Sequence, residues 1–159
     1  MGEENLMKAK EDFKNISSII MLLMRLAVGM IFWTAGLQHL GTGIGEFVRN
    51  LLVQFAGTIL PPFLIASFGY ILPFLETIVG LLLLIGLFTR LAFIAAAILF
   101  LNLVWGPFLI AQTDVASQNA VFFLISILGL RWSEAQLNHY SLDYWLSRKS
   151  PPPSSPSNS

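Results

Sequence analysis

The chain has 159 residues, 55% of them hydrophobic and 11% charged, with acidic and basic side chains in balance. Soluble domains carry roughly 25% charged residues, so this composition and a mean hydropathy of +0.72 describe a polytopic membrane protein of one domain. Zero net charge without a basic stripe argues against nucleic acid as a partner, and the lack of cysteine removes disulfides, thiolate nucleophiles, iron–sulfur clusters and Cys-ligated zinc.

Residues 1–15 are polar and mixed in charge. The apolar run that follows, 16–40, exceeds a signal-peptide core in length and reads as a retained first span. It carries Arg25 in its interior, Gly29 and Gly36, and His39 at its far end. Residues 44–59 differ in kind. Ile44, Phe47, Val48, Leu51, Leu52, Phe55 and Ile59 recur at helical spacing, with Glu46, Arg49, Asn50 and Gln54 mostly between them. That pattern predicts an amphipathic interfacial helix, entered at Gly41-Thr42-Gly43 and left at Pro61-Pro62. It either covers one end of the bundle or forms a lid over a site.

The second span, 63–87, holds one ionisable side chain, Glu76, with Pro73 three residues before it and Gly80 and Gly86 after it. A carboxylate at that depth costs several kcal/mol unless it is paired, protonated or facing a cavity. Pro73 frees the carbonyl of Gly69 and can shape a pocket beside Glu76. The third span, 91–111, carries Asn102 near mid-depth and Trp105-Gly106-Pro107 beyond it. Asn102 is a candidate either for packing glue or for the same cavity as Glu76. The fourth span, 116–130, is short. The Pro/Ser-rich tail, 147–159, is expected to be disordered. The expected fold is therefore an all-α membrane protein, a four-transmembrane-helix bundle with an interfacial helix between spans 1 and 2.

Lys8, Lys10, Lys14, Arg90, Arg131, Arg148 and Lys149 all fall on one side of this topology, and Arg49 on the other. The positive-inside rule then places both termini in the cytoplasm. Counted from that side, Arg25 lies about nine residues deep and Glu76 about a dozen, within roughly one helical turn of each other. The expectation is an Arg25–Glu76 pair, or a polar cavity shared by the two.

His39 and His139 lie at opposite faces of the predicted topology, which argues against a bis-His haem. No metal-ligand spacing and no phosphate loop after a strand is present in the sequence, so neither metal nor nucleotide is expected. Two kinds of work remain for the buried polar set. One is binding a quinone-like molecule, with Arg25 or Asn102 donating to a carbonyl and Glu76 exchanging a proton. The other is moving a proton or small ion, with Glu76 titrating. A third reading is a scaffold in which the charge pair only sets helix register.

Three segments give the chain a family resemblance. They are RLAVGMIFWTAGLQHL from Arg25, ETIVGLLLLIGLFTRLA from Glu76, and Ser141-Leu142-Asp143. In this order they resemble the DoxX family of small four-helix bacterial membrane proteins, over residues 20–146. The resemblance puts Glu76, Gly80, Gly86, Thr89 and Arg90 on that family's core positions. His39 stands where the family commonly has Lys, and LNHY replaces the Gly-Pro-Gly often found before Ser-Leu-Asp. What the resemblance implies is a membrane subunit of a quinone-linked oxidoreductase system in the bacterial cytoplasmic membrane. Its partners would be lipid, a redox subunit or a second copy in a homodimer. Arg25, Glu76, Asn102 and His39 are then the candidate binding residues, with Arg25 and Glu76 as the candidate catalytic pair. Pro73, Gly80, Gly86, Arg90, Ser141 and Asp143 are candidate structural positions, Ser141 as a helix cap and Asp143 as a partner for Arg131 or Arg90.

Overall fold

The computed structural model describes residues 2–133. Ser141, Asp143, His139 and the tail 147–159 lie outside the described residues. Five helices follow one another: α1 (Gly2–Thr42), α2 (Ile44–Gln54), α3 (Pro62–Ile85), α4 (Thr89–Leu109) and α5 (Thr113–Ser133). No strand occurs among the described residues. α1, α3, α4 and α5 are each long and apolar enough to cross a membrane. The fold is the expected all-α membrane bundle.

Three boundaries differ from expectation: the interfacial helix, expected over 44–59, ends at Gln54 with Phe55 as its cap, and two spans are longer. α1 does not begin at residue 16 but continues back to Gly2 as one helix of 41 residues. The polar segment contains no proline and no internal glycine to stop it. Glu3 and Glu4 in its first turn favour the positive end of the helix dipole, and Glu4 and Lys8 have the favourable i,i+4 order. The fourth span also grows, to 21 residues, because Thr113 and Asp114 start the helix before the apolar run does.

α2 lies across the bundle end as its pattern requires. Val48 is buried, Phe47, Leu51 and Leu52 are half-buried, and Glu46, Arg49, Asn50 and Gln54 are exposed. It rests on α3 at Gly69, where a Cβ would stand 3.0 Å from Leu51 Cδ1.

α1 and α3 run antiparallel in close contact. A side chain on Gly36 would enter Thr77 and the Pro73 carbonyl, and one on Gly80 would enter the backbone of Trp33. Lipid gives helices little hydrophobic drive to associate, so such close backbone approach and dense packing carry the association. Behind this seam Met21, Val28, Phe32, Leu72, Val79, Leu83, Phe93 and Phe100 form one buried cluster. Phe32 and Phe100 meet across it with ring centroids 4.4 Å apart and planes tilted by 35°.

α4 and α5 are tied by a polar contact. Pro107 has no N–H to give to the carbonyl four residues back, that of Leu103. Asn119 Nδ2 of α5 donates to that carbonyl at 3.0 Å. A neighbouring helix thus supplies the donor that proline removed.

Candidate functional site at the α2 end of the bundle

The two buried charges expected to meet do not do so. Arg25 is 1% exposed. Its Nε donates to the Leu83 carbonyl at 3.0 Å, and its Nη2 donates to the Leu84 carbonyl at 3.4 Å. Those acceptors lie seven and eight residues beyond Glu76, roughly 10 Å further along α3.

The local reason is the way α3 ends. Gly86 adopts the left-handed conformation, φ 76°, and the N–H groups of Gly86 and Leu87 both donate to the Leu82 carbonyl. The carbonyls of Leu83 and Leu84 still require donors, and the helix dipole concentrates negative potential there. The guanidinium answers both needs. It fits because Gly86 has no side chain: a Cβ there would collide with the Arg25 head. Arg25 is a C-terminal cap for α3. It is not part of the candidate binding or catalytic set.

The depth count failed for a geometric reason. Side chains on a helix lean toward its N-terminus. α1 and α3 are antiparallel, so the heads of Arg25 and Glu76 lean apart. The glycine contacts also slide α3 along α1, setting Gly29 and not Arg25 near Gly80.

Glu76 is 2% exposed, and its partner is His39. His39 Nδ1 and Glu76 Oε2 are 2.9 Å apart. With the carboxylate ionised, Nδ1–H donates to it; with the carboxyl protonated, Oε2–H donates to Nδ1. One geometry therefore serves both the ionised and the protonated carboxyl. The His39 side chain is 28% exposed. The ring of Phe47 stacks on it, centroids 4.1 Å apart and 24° between planes. No described residue bonds to the second ring nitrogen, Nε2.

His39 borders a cleft of about 390 Å³, lined also by Gln38, Thr42, Glu46, Phe47 and Asn50. Its lining combines polar side chains with the Phe47 ring. Of these residues only His39 was singled out as a binding residue from the sequence. The readable signal for the others was the polar face of α2, together with the alternative that α2 forms a lid.

The remaining candidates separate. Asn102 is exposed, and its Nδ2 donates to the Ile98 carbonyl of its own helix at 2.7 Å, so it faces away from the Glu76 cavity. Pro73 is buried inside α3, between the α2 contact at Gly69 and Glu76. Its carbonyl accepts from Thr77 Oγ1 at 2.7 Å. Gly80 and Gly86 make the close approaches described above. Arg90 is exposed in the first turn of α4. Among the described residues no three His, Asp or Glu side chains cluster as metal ligands.

Fold and site together define a small multi-pass membrane protein with a buried acid–imidazole pair reached from one end of the bundle. Residues 17–118 match the family described as methylamine utilisation protein MauE, and the chain belongs to that family. The matched stretch contains Arg25, His39, Glu76 and Asn102. It is a small membrane family, similar in kind to the DoxX family. Neither the curated proteins nor the solved structures give a match to this chain.

Proposed function

We propose that this chain is a membrane subunit of a redox-linked system, and that the cleft beside His39 takes the ring of a quinone-like molecule. The observation that carries this reading is the 2.9 Å contact between a half-buried imidazole and a fully buried carboxyl at the edge of that cleft. Support comes from its volume, which lies within the usual 300–1,000 Å³ range of small-molecule sites. The Phe47 ring offers an apolar face, and Gln38, Thr42 and Asn50 offer hydrogen bonds. Membership of a family named for methylamine utilisation and the resemblance to DoxX agree with a place beside an oxidising enzyme.

A quinone supplies two-electron chemistry: its reduced form gives up two electrons, here to a redox partner subunit, and two protons. His39 accepts one proton at Nε2 as Nδ1 gives one to Glu76, the second proton leaves to water at the open mouth of the cleft, and the reverse transfer returns the first. Glu76 holds the proton out of solvent, and Phe47 keeps the imidazole in one orientation. Beyond Glu76 the α1–α3 seam is closed by Gly29, Gly36 and Gly80 contacts and by Val28, Phe32, Val79 and Leu83. Proton access from the cleft alone favours exchange with a ligand over a route through the bundle. With the termini cytoplasmic, as Lys and Arg indicate, the cleft opens on the outer side of the bacterial cytoplasmic membrane.

The test is to purify the protein in mild detergent, extract it with organic solvent and measure quinone. The expected result is close to one quinone per chain, falling about tenfold in His39→Leu and Glu76→Gln, the loss that about 1.4 kcal/mol of binding represents. Wild type that carries no quinone and takes up no short-chain analogue rejects the reading. Proton flux in liposomes that disappears in Glu76→Gln would establish a proton-linked carrier in its place.

A further inference from the structure

Asn102 presents an amide to hydrocarbon in the middle of a membrane-spanning helix. The residue is exposed, and no described residue donates to its Oδ1. Its one hydrogen bond among the described residues runs back to its own helix at Ile98. Polar side chains at this depth ordinarily face a bundle interior or another helix. The surroundings of Asn102 have a definite pattern. Leu91, Ala95, Ile98, Asn102 and Trp105 follow each other at steps of four, three, four and three residues. That is the spacing of a left-handed helix–helix seam; the exposed face of α3 has it too, at Ile71, Phe74, Ile78, Leu81 and Ile85, and the amide of Asn102 is what sets the α4 face apart. Leu91 is 62% exposed, Ile98 57% and Trp105 54%, with Ala95 half-buried between them. The stripe therefore places one unsatisfied amide oxygen in the middle of an apolar, lipid-facing helix face.

We propose that α4 is a homodimerisation helix, and that the helix facing it is α4 of a second copy of this chain, with Asn102 paired to its own counterpart. The chemistry of the amide selects this occupant. In a two-fold dimer whose axis is normal to the membrane, both α4 helices run in the same direction and each seam residue meets itself. An amide carries donor and acceptor together, so two of them satisfy each other reciprocally. A single Asn in an apolar seam fixes register and the number of helices. Ala95 allows close approach two turns from it. The inference is independent of the quinone reading, since the seam and the cleft share no residue.

The absence of native cysteine makes the test direct. Single cysteines at Ala95, Ile98, Asn102 and Trp105, and control cysteines at Ile71 on α3 and Leu124 on α5, are oxidised in native membranes. Disulfide-linked dimers are expected at the four seam positions, several-fold above both controls. Separately, Asn102→Leu is expected to weaken dimerisation about three- to tenfold in detergent, as for other membrane amide contacts, with Asn102→Gln retaining part of it. Equal or greater cross-linking at Ile71 or Leu124 overturns the proposal. So does a wild-type protein that is monomeric in both membrane and detergent, or a cross-linked product containing a different chain.

Discussion

Gly86 leaves empty the space that the Arg25 guanidinium occupies, and each residue explains the other. The left-handed turn at Gly86 ends α3 with two carbonyls in need of donors, and Arg25 reaches them from α1. Gly86→Ala is expected to destabilise the protein by about 2–4 kcal/mol, since it combines left-handed strain of roughly 1–2 kcal/mol with displacement of a buried cation. Arg25→Leu supplies the control, because it empties the space and leaves only the backbone strain of Gly86→Ala. Denaturant unfolding in detergent should show a smaller loss for Gly86→Ala in the Arg25→Leu background than in the wild type. Equal losses would mean that Arg25 does not need the space.

Arg25→Leu should cost about 2–4 kcal/mol, because two acceptors lose charged donors in a low-dielectric region. Arg25→Lys should recover only part of this, since one ammonium cannot reproduce the planar fork. The fraction that still folds, separated by gel filtration, should bind the short-chain quinone analogue with unchanged affinity. A tenfold loss of affinity in that fraction would return Arg25 to the binding site.

His39 and Glu76 should be strongly coupled. In a double-mutant cycle with His39→Gln and Glu76→Gln, the coupling energy is expected at about 1–3 kcal/mol, as for residues in direct polar contact. Additivity within about 0.5 kcal/mol would show that the contact contributes nothing to the folded state.

Asn119→Leu is expected to cost about 1–3 kcal/mol by leaving the Leu103 carbonyl without its donor. Pro107→Ala restores a backbone N–H in α4 that reaches the same carbonyl. The double variant should therefore be more stable than Asn119→Leu alone. Thermal unfolding followed by circular dichroism decides it, and an additive double variant would disprove the exchange of donors.

Much of the architecture was legible along the chain because it depends on short-range patterns. Four apolar runs of membrane length and one amphipathic segment between Gly43 and Pro61 read directly as helices. The buried state of Glu76 was legible too, since a lone acid in an apolar run has to be satisfied by the protein. The extension of α1 back to Gly2 was readable in principle, because no residue there stops a helix. The identity of Glu76's partner was not. A count of depth pointed to Arg25, and His39 was read only as a binding residue, not as the partner of Glu76. The exposed setting of Asn102 was equally unreadable, since one polar residue in an apolar span carries no signal of the face it occupies.

By itself, then, the sequence determined the membrane class, the number of spans, the interfacial helix and the need for a partner at Glu76. These follow from composition and periodicity, which act over one helix at a time. The tertiary structure alone decided that His39 meets Glu76 and that Arg25 closes α3. Both depend on the sliding register of two antiparallel helices, which is set by where their glycines let the backbones touch, and on side chains leaning toward opposite ends of the bundle.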